Sequence, residues 1–143
     1  MTSVAVVIRD ARIEEAPLVL EVWRAAFQDD DLHGNLDDVQ RVILDDYGAR
    51  LLLAEVDGKI AGTLIATFDS WRGNMYRLAV LPEHQRRGIA SALVATAEQW
   101  MHAVGCRRIT ALVEAGSLWA TAFWSAAGYG HEEHMRRYAK NLG

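Results

Sequence analysis

With 143 residues, 51% of them hydrophobic and 24% charged, the chain has the size and composition of one soluble globular domain spanning residues 1–143. A formal net charge of −4 argues against a nucleic-acid binder that relies on a bulk positive field, so no nucleic-acid partner is expected. The single Cys106 excludes an internal disulfide and offers no zinc-ligand spacing. Met1–Arg9 lacks the apolar core of a signal peptide and no run reaches transmembrane length, so the expectation is a cytoplasmic protein with no membrane partner.

The β-branched run Val4–Ile8 reads as a first strand. Pro17 suits the first turn of a helix whose apolar face is Val19, Val22, Trp23, Ala26 and Phe27. Gly34 breaks the chain. Asn35, with Asp38 three residues on, caps a second helix to about Tyr47, carrying Leu36, Val39, Val42 and Ile43. Leu51–Val56 and Ile60–Phe68 read as strands joined by Asp57-Gly58, the strongest short-range hairpin signal. Asp69–Gly73 forms a second turn into the strand Met75–Val80. From Gly88 a long helix follows, with Ile89, Leu93, Ala97, Trp100, Met101 and Val104 on its buried face and Gly105 as its C-terminal cap. Arg108–Val113 is the next strand, parallel to Met75–Val80 because a helix connects them. Ser117 precedes the helix Leu118–Ala127, closed by Gly128, with Trp119, Ala122, Phe123 and Ala126 as its apolar stripe. Met135–Asn141 reads as a last strand.

The segment Leu78–Ser91 carries the clearest chemistry. A strand stops at Pro82, a basic turn follows, and Gly88 opens a helix. Free backbone N–H groups and the positive end of a helix dipole then converge on one point, beside Arg86 and Arg87. Such a point favours a phosphate-bearing ligand.

The element order β-α-α-β-β-β-α-β-α-β, together with two local motifs, resembles the GNAT superfamily of acetyl-CoA-dependent N-acetyltransferases. The family signature Gln/Arg-x-x-Gly-x-Gly/Ala is matched by Gln85-Arg86-Arg87-Gly88-Ile89-Ala90. A second signature, roughly Asn-x-x-Ala-x-x-Phe-Tyr followed by Gly-Phe/Tyr, falls on Ser117–Trp124 and then Gly128-Tyr129. Asp69-Ser-Trp-Arg72-Gly73 resembles a motif of small bacterial members. The resemblance implies an α/β (α+β) fold: a central mixed, mostly antiparallel sheet of six to seven strands flanked by about four helices. It also implies acetyl-CoA as cosubstrate. Its pyrophosphate would lie on the turn Gln85, Arg86, Arg87, Gly88, Ile89, Ala90 and Ser91, and its pantetheine arm beside Leu78, Ala79 and Val80, between splayed strands. Ser117, Phe123 and Trp124 complete the implied cofactor-binding set.

The implied reaction moves an acetyl group to a primary amine by direct attack in a ternary complex. Two positions depart from the family pattern. Where many relatives carry a Tyr that protonates the leaving thiolate, this chain has Trp124, and an indole N–H is too weak an acid for that task. Where some relatives carry a Glu base, this chain has Asn74. The candidates for proton transfer are therefore Glu114, Tyr76 and Asp69, with Glu83, His84 and Tyr138 behind them. The same departures leave open a non-catalytic acyl-CoA-binding sensor.

Seven aspartates (29, 30, 31, 37, 38, 45 and 46) face one Arg41 between positions 29 and 46, which would draw a cationic amine such as a polyamine, an aminoglycoside or a lysine side chain. A solvated helix face with capping acids accounts for them equally well. Relatives are often dimers, and five Trp leave apolar surface for a homodimer.

Overall fold

The structure, a computed structural model, describes residues 5–27 and 34–142. Two compact units follow one another along the chain, Met1–Leu112 and Val113–Gly143.

The first unit is built on a five-stranded sheet in the order β1-β2-β3-β4-β5. Its strands are β1 (Val6–Asp10), β2 (Ala49–Val56), β3 (Lys59–Phe68), β4 (Gly73–Val80) and β5 (Ile109–Ala111). The first four run antiparallel in sequence, and β4 pairs with β5 in parallel. Helices α1 (Ala16–Ala26) and α2 (Leu36–Leu44) lie on one face, where Val19, Leu20, Trp23 and Val39 pack with Leu51, Leu53, Ile65 and Ala79. On the opposite face is α3 (Ile89–Ala103), burying Ile89, Leu93, Ala97 and Met101. Covering both faces explains why β2 and β3 read as nearly unbroken apolar runs rather than alternating ones.

Local chemistry accounts for the joints. Asp57 and Gly58 have φ of 52° and 76°, the two positive values that a tight primed hairpin turn requires. The Asn35 side chain accepts from the Asp38 N–H (3.0 Å) and Asp38 Oδ2 accepts from the Asn35 N–H (2.9 Å), a reciprocal cap on α2. At the end of α3, Cys106 N–H donates to the Met101 carbonyl (2.9 Å) and Gly105 N–H to that of His102 (3.1 Å), with Gly105 at φ 97°. That is the Schellman arrangement the glycine makes possible.

One irregularity shapes β4. Thr63 pairs with Ala79, but Ile65 pairs with Tyr76, so Arg77 and Leu78 together oppose Leu64. Arg77 adopts φ 58°, a left-handed conformation costly for a side chain that is neither Gly nor Asn. Because the bulge adds one residue, Tyr76 and Ala79 both lie on the α1 face.

The second unit holds α4 (Leu118–Ala126). Ser117 caps it, its Oγ accepting from the Ala120 N–H at 3.2 Å.

Several expectations are corrected. Among the described residues the sheet has five strands rather than six to seven. The last strand expected at Met135–Asn141 does not form: Met135 and Tyr138 are 64% and 90% exposed, and a segment without a ladder partner is not a strand. The strand expected over Arg108–Val113 is only Ile109–Ala111, because β4, its sole partner among the described residues, pairs with it no further than Met75. The second helix stops at Leu44 rather than Tyr47, because the Asp45 carboxylate turns the chain by accepting from the N–H groups of Tyr47, Gly48 and Ala49. Of the first strand expected at Val4–Ile8, Val4 lies outside the described residues; the strand observed is Val6–Asp10, which continues past Ile8 to the end of its partner Leu52–Val56. In α4 the buried residue is Trp124, and Ala122 and Ala126 are exposed, because Trp124 sits against both Phe123 and Tyr129.

Candidate functional site

The first unit brings three features to the C-terminal end of β4. The first is an open edge. Beyond the pair Met75↔Ala111 and the bond from Leu112 N–H to the Met75 carbonyl (2.9 Å), no strand among the described residues pairs with that side of β4. Backbone groups alternate sides along a strand. Leu81 N–H donates to the Ala61 carbonyl of β3 (2.9 Å), so the peptide groups of Val80 and Leu78 point the other way, to the open edge. The side-chain amide of Gln85 donates to the Val80 carbonyl at 3.2 Å, which fixes the turn to this edge.

The second feature is the turn itself. A short 3₁₀ segment, Pro82–His84, leads into Gln85, and Arg86 and Gly88 have φ of 66° and 76°. Two left-handed residues so close together turn successive N–H groups toward one point. A Cβ added at Gly88 would meet nothing within 4 Å, so the approach to the turn is open. Arg86 and Arg87 are exposed beside it. His84 Nδ1 is buried there without a hydrogen-bond partner.

The third feature is the N-terminus of α3. Gly88 is its N-cap and supplies no side-chain acceptor, and the first intrahelical bond runs from Ala92 N–H to the Gly88 carbonyl (3.0 Å). The N–H groups of Ile89, Ala90 and Ser91 therefore lack helical acceptors. With the helix dipole behind them, they suit an anion.

Of the residues expected from sequence, Tyr76, Leu78–Val80 and Gln85–Ser91 lie in this unit on β4 and the turn after it. Tyr76 is half-buried on the α1 face. Asp69 sits at the other end of β4, where its Oδ1 accepts from the N–H groups of Arg72 (2.8 Å) and Trp71 (2.9 Å). Those bonds hold its carboxyl below the usual carboxylate range. Asn74 Oδ1 accepts from the Thr110 hydroxyl at 2.6 Å, a cross-strand contact between β4 and β5. Glu114, Ser117, Phe123 and Trp124 belong to the second unit. Glu114 is exposed there, and its carbonyl accepts from the Ser117 N–H at 3.1 Å.

Of the acidic stretch, Asp29, Asp30 and Asp31 lie outside the described residues. Asp38 and Asp45 spend their carboxylates on backbone N–H groups, which lowers the Asp45 pKa, the Gly48 N–H contributing most. Asp37 and Asp46 are exposed.

Three residues near the bulge have no counterpart among the expected site residues. Thr63 is fully buried; its hydroxyl donates to the Arg77 carbonyl (2.9 Å) and accepts from Trp23 Nε1 (3.0 Å). The Arg77 guanidinium lies over the rings of Phe27 (4.6 Å) and Trp23 (5.5 Å). The signal that could have found them is Thr63 itself, a hydroxyl inside the apolar run Ile60–Phe68.

The profile of the acetyltransferase (GNAT) family matches residues 16–129. An acetyltransferase of Photorhabdus laumondii is 36% identical over 109 residues, covering 74% of this chain and 73% of that one. Among solved structures, the aminoglycoside N-acetyltransferase AAC(6')-Iy in complex with CoA superposes with a TM-score of 0.79 at 20% identity, covering 99% of this chain and 98% of that chain. The aminoglycoside 6'-N-acetyltransferase AAC(6')-Ih of Acinetobacter baumannii gives 0.78 at 22% identity, covering 97% and 100%. An integron cassette protein of V. cholerae gives 0.72 at 18%, covering 99% and 94%. At these identities the solved structures share the fold. No helix among the described residues is long and apolar enough to cross a membrane, and none of their His, Cys, Asp and Glu side chains cluster as a metal site.

Proposed function

The chain belongs to the acetyltransferase (GNAT) family, whose cosubstrate is acetyl-CoA, and from that premise we propose that it transfers the acetyl group to a primary amine by direct attack. Residues 1–143 act in this reading as a single acetyltransferase domain, which the unbroken match over residues 16–129 supports.

The observation that carries the reading is the open edge of β4, continuous with the anion-ready turn. Leu78 and Val80 direct peptide groups to that edge, where an amide-bearing pantetheine arm finds strand-like partners. The N–H groups from Arg86 to Ser91 face a pyrophosphate, with Arg86 and Arg87 adding charge. Acetyl-CoA, when bound, supplies a thioester whose carbonyl carbon an unprotonated amine can attack. The Val80 N–H is the donor placed to polarise that carbonyl.

Much of the rate then comes from positioning, with proton transfer by Tyr76 or Glu114, directly or through water. Asp69 is a poorer base than an ordinary carboxylate, because two N–H groups already stabilise its ionised form. Ser117, Phe123 and Trp124 are proposed to line the cofactor. Asp37 and Asp46, exposed on and just after α2, favour a cationic amine. That several fold relatives are aminoglycoside acetyltransferases supports including aminoglycosides among the acceptors tested.

The test is release of free coenzyme A thiol from acetyl-CoA across a panel of polyamines, aminoglycosides and lysine peptides. Amine-dependent release above the hydrolysis background is expected. A panel that leaves release at background would count against amine acetylation.

A further inference from the structure

The side of β4 that meets a ligand depends on which of its peptide groups point to the open edge, and the bulge at Arg77 decides that. Gly73 N–H donates to the Arg108 carbonyl (3.0 Å) and the Met75 carbonyl accepts from Leu112, so the odd-numbered residues face β5 at the start of the strand. A regular strand would keep that phase and send Arg77 and Ala79 to the edge. The extra residue at Arg77–Leu78 reverses it, and Leu78 and Val80 face the edge instead.

The residue at the bulge is not one that favours its backbone conformation. Arg77 holds φ 58°, where Gly would be the natural choice. Its carbonyl accepts from a side chain, the Thr63 hydroxyl, at 2.9 Å. Thr63 is fully buried, so its hydroxyl cannot exchange this partner for solvent. The hydroxyl hydrogen is directed to Arg77 because the oxygen already accepts from Trp23 Nε1 at 3.0 Å, and Trp23 is itself only 3% exposed in the core under α1. Indole nitrogen, hydroxyl and carbonyl form a chain in which each donor has one acceptor.

We infer that Thr63, oriented by Trp23, is a positioning residue that sets the phase of β4 and so selects Leu78 and Val80 as the backbone partners of the pantetheine arm. The inference rests on the site reading given under Proposed function. Neither residue touches the cosubstrate; both act through the Arg77 carbonyl.

Two probes separate this role from a merely structural one: acetyl-CoA, and adenosine 3′-phosphate 5′-diphosphate, which keeps the pyrophosphate and lacks the arm. Calorimetry on Thr63→Val, which keeps the shape and removes the hydroxyl, should show acetyl-CoA bound about tenfold more weakly, with the nucleotide bound as in the unsubstituted protein. Thr63→Ser should restore acetyl-CoA affinity to within about twofold. Equal acetyl-CoA affinity in Thr63→Val overturns the inference, as does a parallel loss for both probes. If Thr63→Val does not fold, Trp23→Phe decides, because it removes the orienting donor and leaves the hydroxyl. The same split between the probes supports the inference, and unchanged acetyl-CoA affinity overturns it. An unsubstituted protein that binds neither probe removes the site reading itself, and the inference with it.

Discussion

Tyr129 N–H donates to the Trp124 carbonyl at 3.0 Å, and the two rings meet edge-on with centroids 4.9 Å apart. Between them Gly128 takes φ 95°, and its N–H donates to the Ser125 carbonyl at 3.1 Å. The end of α4 is therefore a Schellman motif whose apolar contact is Trp124 with Tyr129. This gives the Gly-aromatic pair of the second signature a physical reason. Glycine makes the left-handed step, and the aromatic residue after it closes over the last turn.

Replacing Gly128 by Ala should destabilise this helix end by about 1 kcal/mol, since a Cβ is penalised at positive φ and has open space around it. Tyr129→Ala should destabilise it as well, by removing the ring contact. Thermal unfolding of the two variants and their double mutant checks this. The double mutant should cost less than the sum, because both changes act on one motif.

A second glycine matters for a different reason. Gly73 opens β4 opposite the C-terminal end of α3, where an added Cβ would collide with Met101 Sδ and lie 2.9 Å from Cys106 Sγ. Met101 is fully buried, so moving its side chain aside means repacking the core around it. Gly73→Ala should cost roughly 1–3 kcal/mol by overpacking. Adding Met101→Ala should recover part of that loss, measured by denaturant unfolding. Without such recovery the collision is not the cause.

Acid stability should depend on one ion-pair cluster. Arg9 donates to Glu15 at 2.8 and 2.7 Å and to Glu55 at 3.0 Å, joining β1, the turn before α1, and β2. The hydrogen bonds from Arg9 are the largest cause of a Glu15 pKa below its ordinary 4.5. A depressed carboxylate contributes stability above its unfolded pKa and loses it as pH falls through the folded value. Arg9 stays charged throughout, its own pKa being raised by the same bonds. Glu15→Gln should therefore cost roughly 2 kcal/mol near neutral pH. The two unfolding midpoints should converge as pH drops below the usual glutamate range. A constant gap across that range would assign the effect to packing instead.

Much of this architecture is written in local chemistry. Asp57-Gly58 marks its hairpin because both residues must take positive φ, and Asn35 with Asp38 marks its cap because the two side chains serve each other's N–H groups. The turn Gln85–Gly88 is legible for the same reason. What sequence hides is set by partners distant along the chain. Nothing local announces that Arg77 will adopt a glycine-like φ, and the residue whose hydroxyl meets its carbonyl, Thr63, lies fourteen positions away. Met135–Asn141 reads as a strand in the sequence, but no partner strand receives it among the described residues. The helical spacing of Trp119, Ala122, Phe123 and Ala126 suggests a buried stripe, yet the residue buried is Trp124, which the cap places against Tyr129. Asp69 looks like a free carboxylate until the turn it closes is seen to use it.

The central claim is that the turn Gln85–Ser91 holds the pyrophosphate of acetyl-CoA. The most direct measurement is calorimetric titration of acetyl-CoA into the unsubstituted protein and into Arg87→Glu, an exposed position whose reversal should leave the unfolding midpoint unchanged. The expected result is saturable binding by the first and at least about tenfold weaker binding by the second. Equal affinity of the two proteins, both folded, would contradict the claim.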